Sequence, residues 1–306
     1  MAEVVGIGAL NWDRLLLVDR FAKEGEEIVI KEFREEAGGS AANTIAGLGR
    51  LGVKCGFIGK MGSDKEGELI LKAFEREGVD TKGIKRVEGR SGAVYAFVDD
   101  LGERSMYVKS GVNDNLLLND INSSYLRFAR FIHISSFAGS TSIETIKKIP
   151  ELKGPAKLSF APGFLSRRGR DFLTPILKQC EILFLNEKEA AALTGKPPSE
   201  AGAVLRREGL ETVVVTMGSK GCIVVDEEGA HEAFGIKTTV VDTTGAGDAF
   251  AAGFLYGTLK GFDASASARI GNFAASKCIR HIGARKGLPS KGSLKAFLRK
   301  IHKCEP

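Results

Sequence analysis

Runs of β-rich apolar residues alternate along the chain with stretches whose apolar positions recur every three or four residues. That alternation predicts an α/β protein, a three-layer α/β/α arrangement with a mostly parallel central sheet covered on both faces by helices. Buried strands are expected at 4–8, 54–59, 130–135, 157–161, 181–185 and 212–216. Helices are expected at 39–51, 65–77, 143–148, 170–178, 187–193, 199–208, 247–259, 264–280 and 290–302. No linker, repeat or low-complexity tract divides the chain, so residues 1–306 read as a single domain.

Two segments break the βα rhythm. Residues 15–34 and 93–109 each carry the pattern of a pair of short strands, the second pair turning at Asp99-Asp100-Leu101-Gly102. Antiparallel strands inserted there would assemble a small separate sheet over the mouth of the main one, a β-strand lid over approximately 15–36 and 91–110. The plainer reading is two surface hairpins without a function; long insertions after sheet strands more often form lids or binding loops.

Composition narrows the class. With 43% hydrophobic and 27% charged residues, the chain is neither disordered nor fibrous. No run approaches the roughly 18 apolar residues of a membrane span, and the first residues lack a signal-peptide pattern, so a cytoplasmic protein with no membrane partner is expected. Lys and Arg number 44 against 38 Asp and Glu, a net charge of +6. The densest basic groups, Arg167-Arg168-Gly169-Arg170 and Arg299-Lys300-Ile301-His302-Lys303, are short and lie in or beside helical patterns. They read as solvated helix faces, and no nucleic-acid partner is expected. Cys55, Cys180, Cys222, Cys278 and Cys304 are widely spaced, without C-x-x-C or a His at zinc-ligand spacing, and read as reduced thiols.

Three motifs carry candidate chemistry. Gly6-Ile7-Gly8-Ala9-Leu10-Asn11 opens like a dinucleotide fingerprint but has Asn11 in place of the third glycine and a strand-like insertion in place of the helix. Asn11 and Asp13 instead lie just beyond the end of the first strand, where open α/β sheets bind ligands, and both side chains suit hydroxyl groups; a polar turn is the alternative. Next, Ala37-Gly38-Gly39-Ser40-Ala41-Ala42-Asn43 pairs glycines that let backbone approach a ligand with Ser40 as a helix cap and Asn43 on the first turn. A Walker loop is excluded, because Gly59-Lys60 precedes Met61 and Gly195-Lys196 precedes Pro197. Last, Asp242-Thr243-Thr244-Gly245-Ala246-Gly247-Asp248 opens a small-residue helix. The amides of Gly245, Ala246 and Gly247 and the helix start would form an anion hole, with the Asp248 carboxylate beside it. Phosphoryl transfer needs that pairing of charge stabilisation with a proton acceptor, although ordinary helix capping also produces a Gly-rich turn with an Asp.

Over essentially its full length the chain resembles the ribokinase-like (PfkB) carbohydrate and nucleoside kinases. Gly38-Gly39-Ser40-Ala41-Ala42-Asn43 looks like the family's first pattern and Asp242 to Phe250 like its second, with Gly8-x-x-Asn11-x-Asp13, Asn186-Glu187-Lys188-Glu189 and Thr216-Met217-Gly218-Ser219-Lys220-Gly221 also fitting. The resemblance implies Asp248 as catalytic base and Gly245, Ala246 and Gly247 as the anion hole. It further implies Asn11, Asp13, Gly38, Gly39 and Asn43 as acceptor-binding residues. Asn186 and Glu189 would hold Mg²⁺ through water, in keeping with that ion's reluctance to dehydrate. Thr216, Gly218 and Gly221 would lie along the ATP, and Asn272 would border its adenine.

Departures qualify the substrate. Ser40 stands where ribokinases usually carry Lys, and Ala161 precedes Pro162-Gly163 where many relatives have Asp. Asp242 and Thr244 are in place for a monovalent cation such as K⁺, but Gly287 stands where activated relatives often have Ser, so at most a partial site is expected. The implied activity is ATP-dependent, Mg-assisted phosphoryl transfer to a hydroxymethyl group of a small sugar. A nucleoside remains open, Trp12 being the aromatic that could meet a base. A sugar phosphate also remains open, with Lys109, Arg104 and Arg90 near the lid as anion partners. A non-catalytic sugar or nucleotide sensor would keep the crevice and lose the base. A homodimer through the lid remains open.

Overall fold

The computed structural model describes residues 1–301; His302, Lys303 and the fifth cysteine, Cys304, lie outside the described residues. Strands β1 (Val4–Ile7), β2 (Asn11–Leu17), β3 (Glu32–Gly38), β4 (Cys55–Gly62), β5 (Asp80–Val87), β6 (Gly92–Val98) and β7 (Arg104–Lys109) come first. They are followed by β8 (Phe131–Ser135), β9 (Lys157–Ala161), β10 (Ile182–Asn186), β11 (Thr212–Thr216), β12 (Gly221–Asp226) and β13 (Gly229–Phe234). The helices are α1 (Ser40–Arg50), α2 (Lys65–Arg76), α3 (Ser123–Leu126), α4 (Ser140–Lys147), α5 (Ile149–Leu152), α6 (Arg170–Leu177), α7 (Glu187–Thr194), α8 (Pro198–Arg207), α9 (Ala246–Leu259), α10 (Ala264–Cys278) and α11 (Lys291–Ile301).

Alternation along the central strands builds the layers, because successive side chains leave a strand on opposite faces. Val5, Ile7, Ile132, Ile134, Leu183, Leu185, Val213 and Val215 pack on one face with residues of α4, α6, α7 and α8. Val4, Phe57, Phe131, Phe184 and Val214 pack on the other with residues of α1, α2, α9 and α10. The sheet they form has nine strands in the order β13-β12-β11-β10-β9-β8-β1-β4-β5. It is parallel except for β12 and β13, which add an antiparallel edge. The sequence reading missed β5, β12 and β13; β5 and β13 are edge strands with many exposed positions, so their pattern lacks the apolar run of the buried strands.

The lid is a second sheet, ordered β3-β2-β6-β7. Two expectations need correction here. The first inserted pair begins at Asn11 rather than Leu15, so Asn11 and Asp13 belong to a lid strand and not to a turn after β1. The sheet is also mixed: β2 pairs antiparallel with β3, and β6 with β7, but the central pairing of β2 with β6 is parallel. The lid's base is tied to α2. Arg14 donates to Glu66 at 2.8 Å, and Asp64, which caps α2, accepts from the Ser91 amide (2.8 Å) and hydroxyl (2.6 Å). No helix among the described residues is long and apolar enough to cross a membrane.

Candidate active site

One end of the candidate site is built where β2 and β3 meet the start of α1. Asp13 lies opposite Glu36, and Gly38 follows two residues later on the same face, so a missing side chain leaves room for the Asp13 carboxylate; a Cβ at Gly38 would strike it. Gly39 has φ +103°, and a Cβ there would strike the Ala9 carbonyl, so the chain turns into α1 with glycine alone fitting. Ser40 is the first helical residue rather than the expected cap: its hydroxyl turns away from the α1 amides and donates to Asp248 Oδ1 at 2.7 Å.

Asp248, in the first turn of α9, is held on both oxygens, since Asn43 Nδ2 donates to Oδ2 at 2.9 Å. Burial pushes its carboxyl above the usual range, against the lowering effect of the Asn43 and Ser40 bonds and of Arg285 and Arg104. The left-handed Gly245 (φ +74°) starts the helix against Ala284. The anion hole differs from expectation at Ala246, whose N–H donates to the Thr243 carbonyl at 3.2 Å and so closes the turn. The open side is at Gly247, where an added Cβ would meet nothing within 4 Å.

Asp248 and Gly247 line an inner recess of about 140 Å³ with Ser40, Asn186, Glu189 and Thr216. Sharing Gly163, Asn186 and Glu189, an outer recess of about 770 Å³ runs to Asp242, Thr243 and the cations Arg104, Arg167 and Lys188. Asn186 and Glu189 bond each other reciprocally at the start of α7, Glu189 N to Asn186 Oδ1 at 2.9 Å and Asn186 N to Glu189 Oε2 at 3.0 Å. Burial and the charge of Asp248 raise the Glu189 carboxyl, and no ion pair among the described residues neutralises it. That acid on the recess wall fits a hydrated divalent cation.

Other expected residues are placed elsewhere. Gly218 (φ +57°) and Gly221 (φ +102°) shape the turn between β11 and β12 and line neither recess. Asn272 donates to the Ala233 and Phe234 carbonyls at 3.0 and 3.1 Å, pinning β13 to α10. Asp242 is already satisfied: Oδ1 accepts from the Thr244 amide and hydroxyl (2.9 and 2.7 Å), and Oδ2 from the Gly283 amide (2.8 Å). Gly287 has no room for a side chain, since a Cβ would sit 2.6 Å from the Lys277 and Cys278 carbonyls. This donor set suits a monovalent cation poorly.

Three residues of the site were not singled out from the sequence. Asn113 accepts from the Leu10 amide and donates to the Leu10 carbonyl and to Asn11 Oδ1, each at 2.9 Å. Glu36 accepts from the Ala284 amide at 2.5 Å, joining the lid to the loop beneath α9. Arg285 is buried, its Nε donating to Asn43 Oδ1 at 2.8 Å and its Nη2 reaching the Gly38 carbonyl at 3.5 Å. Its only sequence signal was its place in the loop following α10. The charges of Glu36 and Arg285 act on Asp13, whose buried Oδ1 has no hydrogen-bond partner within the protein.

The comparisons agree with this architecture. Residues 1–291 match the pfkB family of carbohydrate kinases. The chain belongs to that family, and it is a phosphotransferase with an alcohol group as acceptor. It is 43% identical over 247 residues to an uncharacterized sugar kinase of Archaeoglobus fulgidus, covering 79% of this chain and 98% of that one. It is 33% identical to an ATP-dependent ribose-1-phosphate kinase of Halopiger xanaduensis, covering 97% and 98%. A crystal structure of ribokinase from Thermotoga maritima superposes with a TM-score of 0.88 at 25% identity, over 98% of this chain and 100% of that one.

Proposed function

We propose that the protein transfers the terminal phosphoryl group of ATP to a hydroxymethyl group of a small sugar. The observation that carries this reading is Asp248, a carboxylate held by Ser40 and Asn43 at the start of a helix, with its proton affinity raised by burial. Asp248 takes the hydroxyl proton as the new O–P bond forms and the bond from phosphorus to ADP breaks. The α9 N-terminus, open at Gly247 with Gly245 and Ala246 behind it, stabilises the charge on the transferred group. Arg104, Arg167 and Lys188 match a polyphosphate by charge, while Thr216 lines the inner recess beside Asp248. Asn186 and Glu189 would hold Mg²⁺ through water, and the ion would supply neutralisation of phosphate charge.

On the acceptor side, the Asn113 bond takes Asn11 Oδ1 and leaves its Nδ2 as a donor, while Asp13 Oδ1 is an acceptor without a protein partner. A polyol satisfies both. Trp12 is half-buried and packs against the core cluster on one face of the main sheet, which weighs against its stacking on a nucleobase. A sugar phosphate is the second reading, favoured by the full-length similarity to the ribose-1-phosphate kinase. The chain is taken as one cytoplasmic kinase unit, pairing through the lid with a second copy.

A panel of sugars, sugar phosphates and nucleosides, assayed for coupled ADP production with donors varied, tests this reading. ADP formation with a sugar or sugar phosphate is expected. Turnover confined to nucleosides would move the acceptor class, and no turnover with any compound would sink the proposal.

A further inference from the structure

Arg285 is a full positive charge that the catalytic reading above leaves without a task. Its guanidinium lies 5.2 Å over the Phe74 ring, and the charges of Glu36 on β3, Asp13 on β2 and Glu77 after α2 favour its protonated form while Arg50 on α1 opposes it. Its Nη1 is buried with no protein partner. Burial favours loss of its proton, and the neighbouring carboxylates oppose that.

We propose that Arg285 is the positioning residue of the acceptor site, setting the direction of the Asn43 amide and opposing the buried charge of Asp13; this rests on the acceptor reading above. Hydrogen-bond chemistry decides the first task. A guanidinium only donates, so the group facing it at 2.8 Å must be Asn43 Oδ1. A carboxylate only accepts, so the group facing Asp248 at 2.9 Å must be Asn43 Nδ2. Reversing the amide would turn both bonds into clashes of like groups. Arg285 thereby keeps one Asp248 oxygen anchored while Ser40 anchors the other.

The second task is electrostatic. Burial first, then the charges of Glu36 and Asp248, raise the Asp13 carboxyl, and Arg285 is the cation that lowers it; the balance lies at about 7. Without that cation Asp13 would be neutral over more of the working pH range. A protonated Asp13 loses much of its capacity to accept from a sugar hydroxyl.

Substitutions separate the two tasks. Arg285→Lys keeps the charge but not the planar fork that reaches both Asn43 and Gly38. Its acceptor kcat/KM should fall about tenfold or more at every pH, with Mg-ATP binding by calorimetry unchanged. In an Asn43→Ala background the same change should cost little, because the residue through which it acts is gone. Arg285→Gln removes the charge, and the Asp13 titration, followed by carboxyl NMR on the unliganded protein, should move up by about one pH unit. The acidic limb of acceptor kcat/KM should move with it. The NMR shift does not depend on turnover, so it tests the inference even if no acceptor is phosphorylated. Equal loss from Arg285→Lys with and without Asn43, or an unmoved Asp13 titration in Arg285→Gln, overturns the corresponding task; if the Gln variant does not fold, the Lys variant and its coupling to Asn43 decide the first.

Discussion

Two carboxylates of the proposed site differ in their surroundings. Asp248 has hydrogen-bond partners on both oxygens, whereas Asp13 has a buried oxygen with none. Asp248→Asn keeps the size of the side chain and removes the proton acceptor, so turnover should fall about 10²–10⁴-fold. Calorimetric Mg-ATP binding should survive; joint loss of binding, melting temperature and activity would make Asp248 a structural cap. Asp13→Asn should lower acceptor kcat/KM about ten- to a hundredfold. It should also stabilise the protein near neutrality. The Asp13 carboxyl is raised from 3.8 to about 7 by burial first, then by Glu36. A raised carboxyl contributes stability that is present below the unfolded value and lost as pH rises through the folded one. The Asn variant should therefore melt above the parent at about pH 8, with the gap closing toward about pH 4. An unchanged melting difference across that range would show that Asp13 is not strained by its charge.

At the scale of elements, glycines decide what may approach what. The α9 helix lies so close to α10 that a Cβ on Gly253 would sit 2.6 Å from the Ile270 carbonyl, and one on Gly257 would sit 2.5 Å from the Ser267 hydroxyl. This close seating fixes the helix start that carries Gly247 and Asp248. Beneath it, the loop after α10 is pinned by Asp242 to Gly283 and by Glu36 to Ala284, and Gly287 adds no side-chain oxygen. Potassium should therefore change turnover little when it replaces a bulky organic cation. A rise of about tenfold, worth ~1.4 kcal/mol in the barrier, would show that backbone oxygens bind it unaided. The shapes of α1, α2, α7, α9 and α10 were legible beforehand because periodicity and first-turn acids are local signals. The span of the lid strands was not. Asn11 and Asp13 read as hydroxyl-binding residues just past β1, with a polar turn as the alternative, and only their pairing with β3 and β6 places them in a lid strand.

The whole molecule is a kinase body with a four-stranded lid whose outer strands leave Phe33, Met106, Tyr107 and Val108 exposed. Exposed apolar side chains on the open edge strands of the lid are suited to covering by a second copy. Sedimentation velocity should give a dimer, and Phe33→Glu with Tyr107→Glu should give a monomer; a wild-type monomer at every concentration would remove the lid as an interface. Alone, the amino-acid order determined the layered fold and the glycine-pair and Asp242–Asp248 segments. Each of these depends on neighbours a few residues away. Only the tertiary structure decided that Ser40 bonds Asp248 across 208 positions, that Arg285 orients Asn43 across 242, and that Glu36 reaches Ala284 across 248. It also decided that the Ala246 amide is spent in its own turn. The physical reason is that a buried polar group must find a partner wherever packing brings one, and packing joins residues that no local pattern connects.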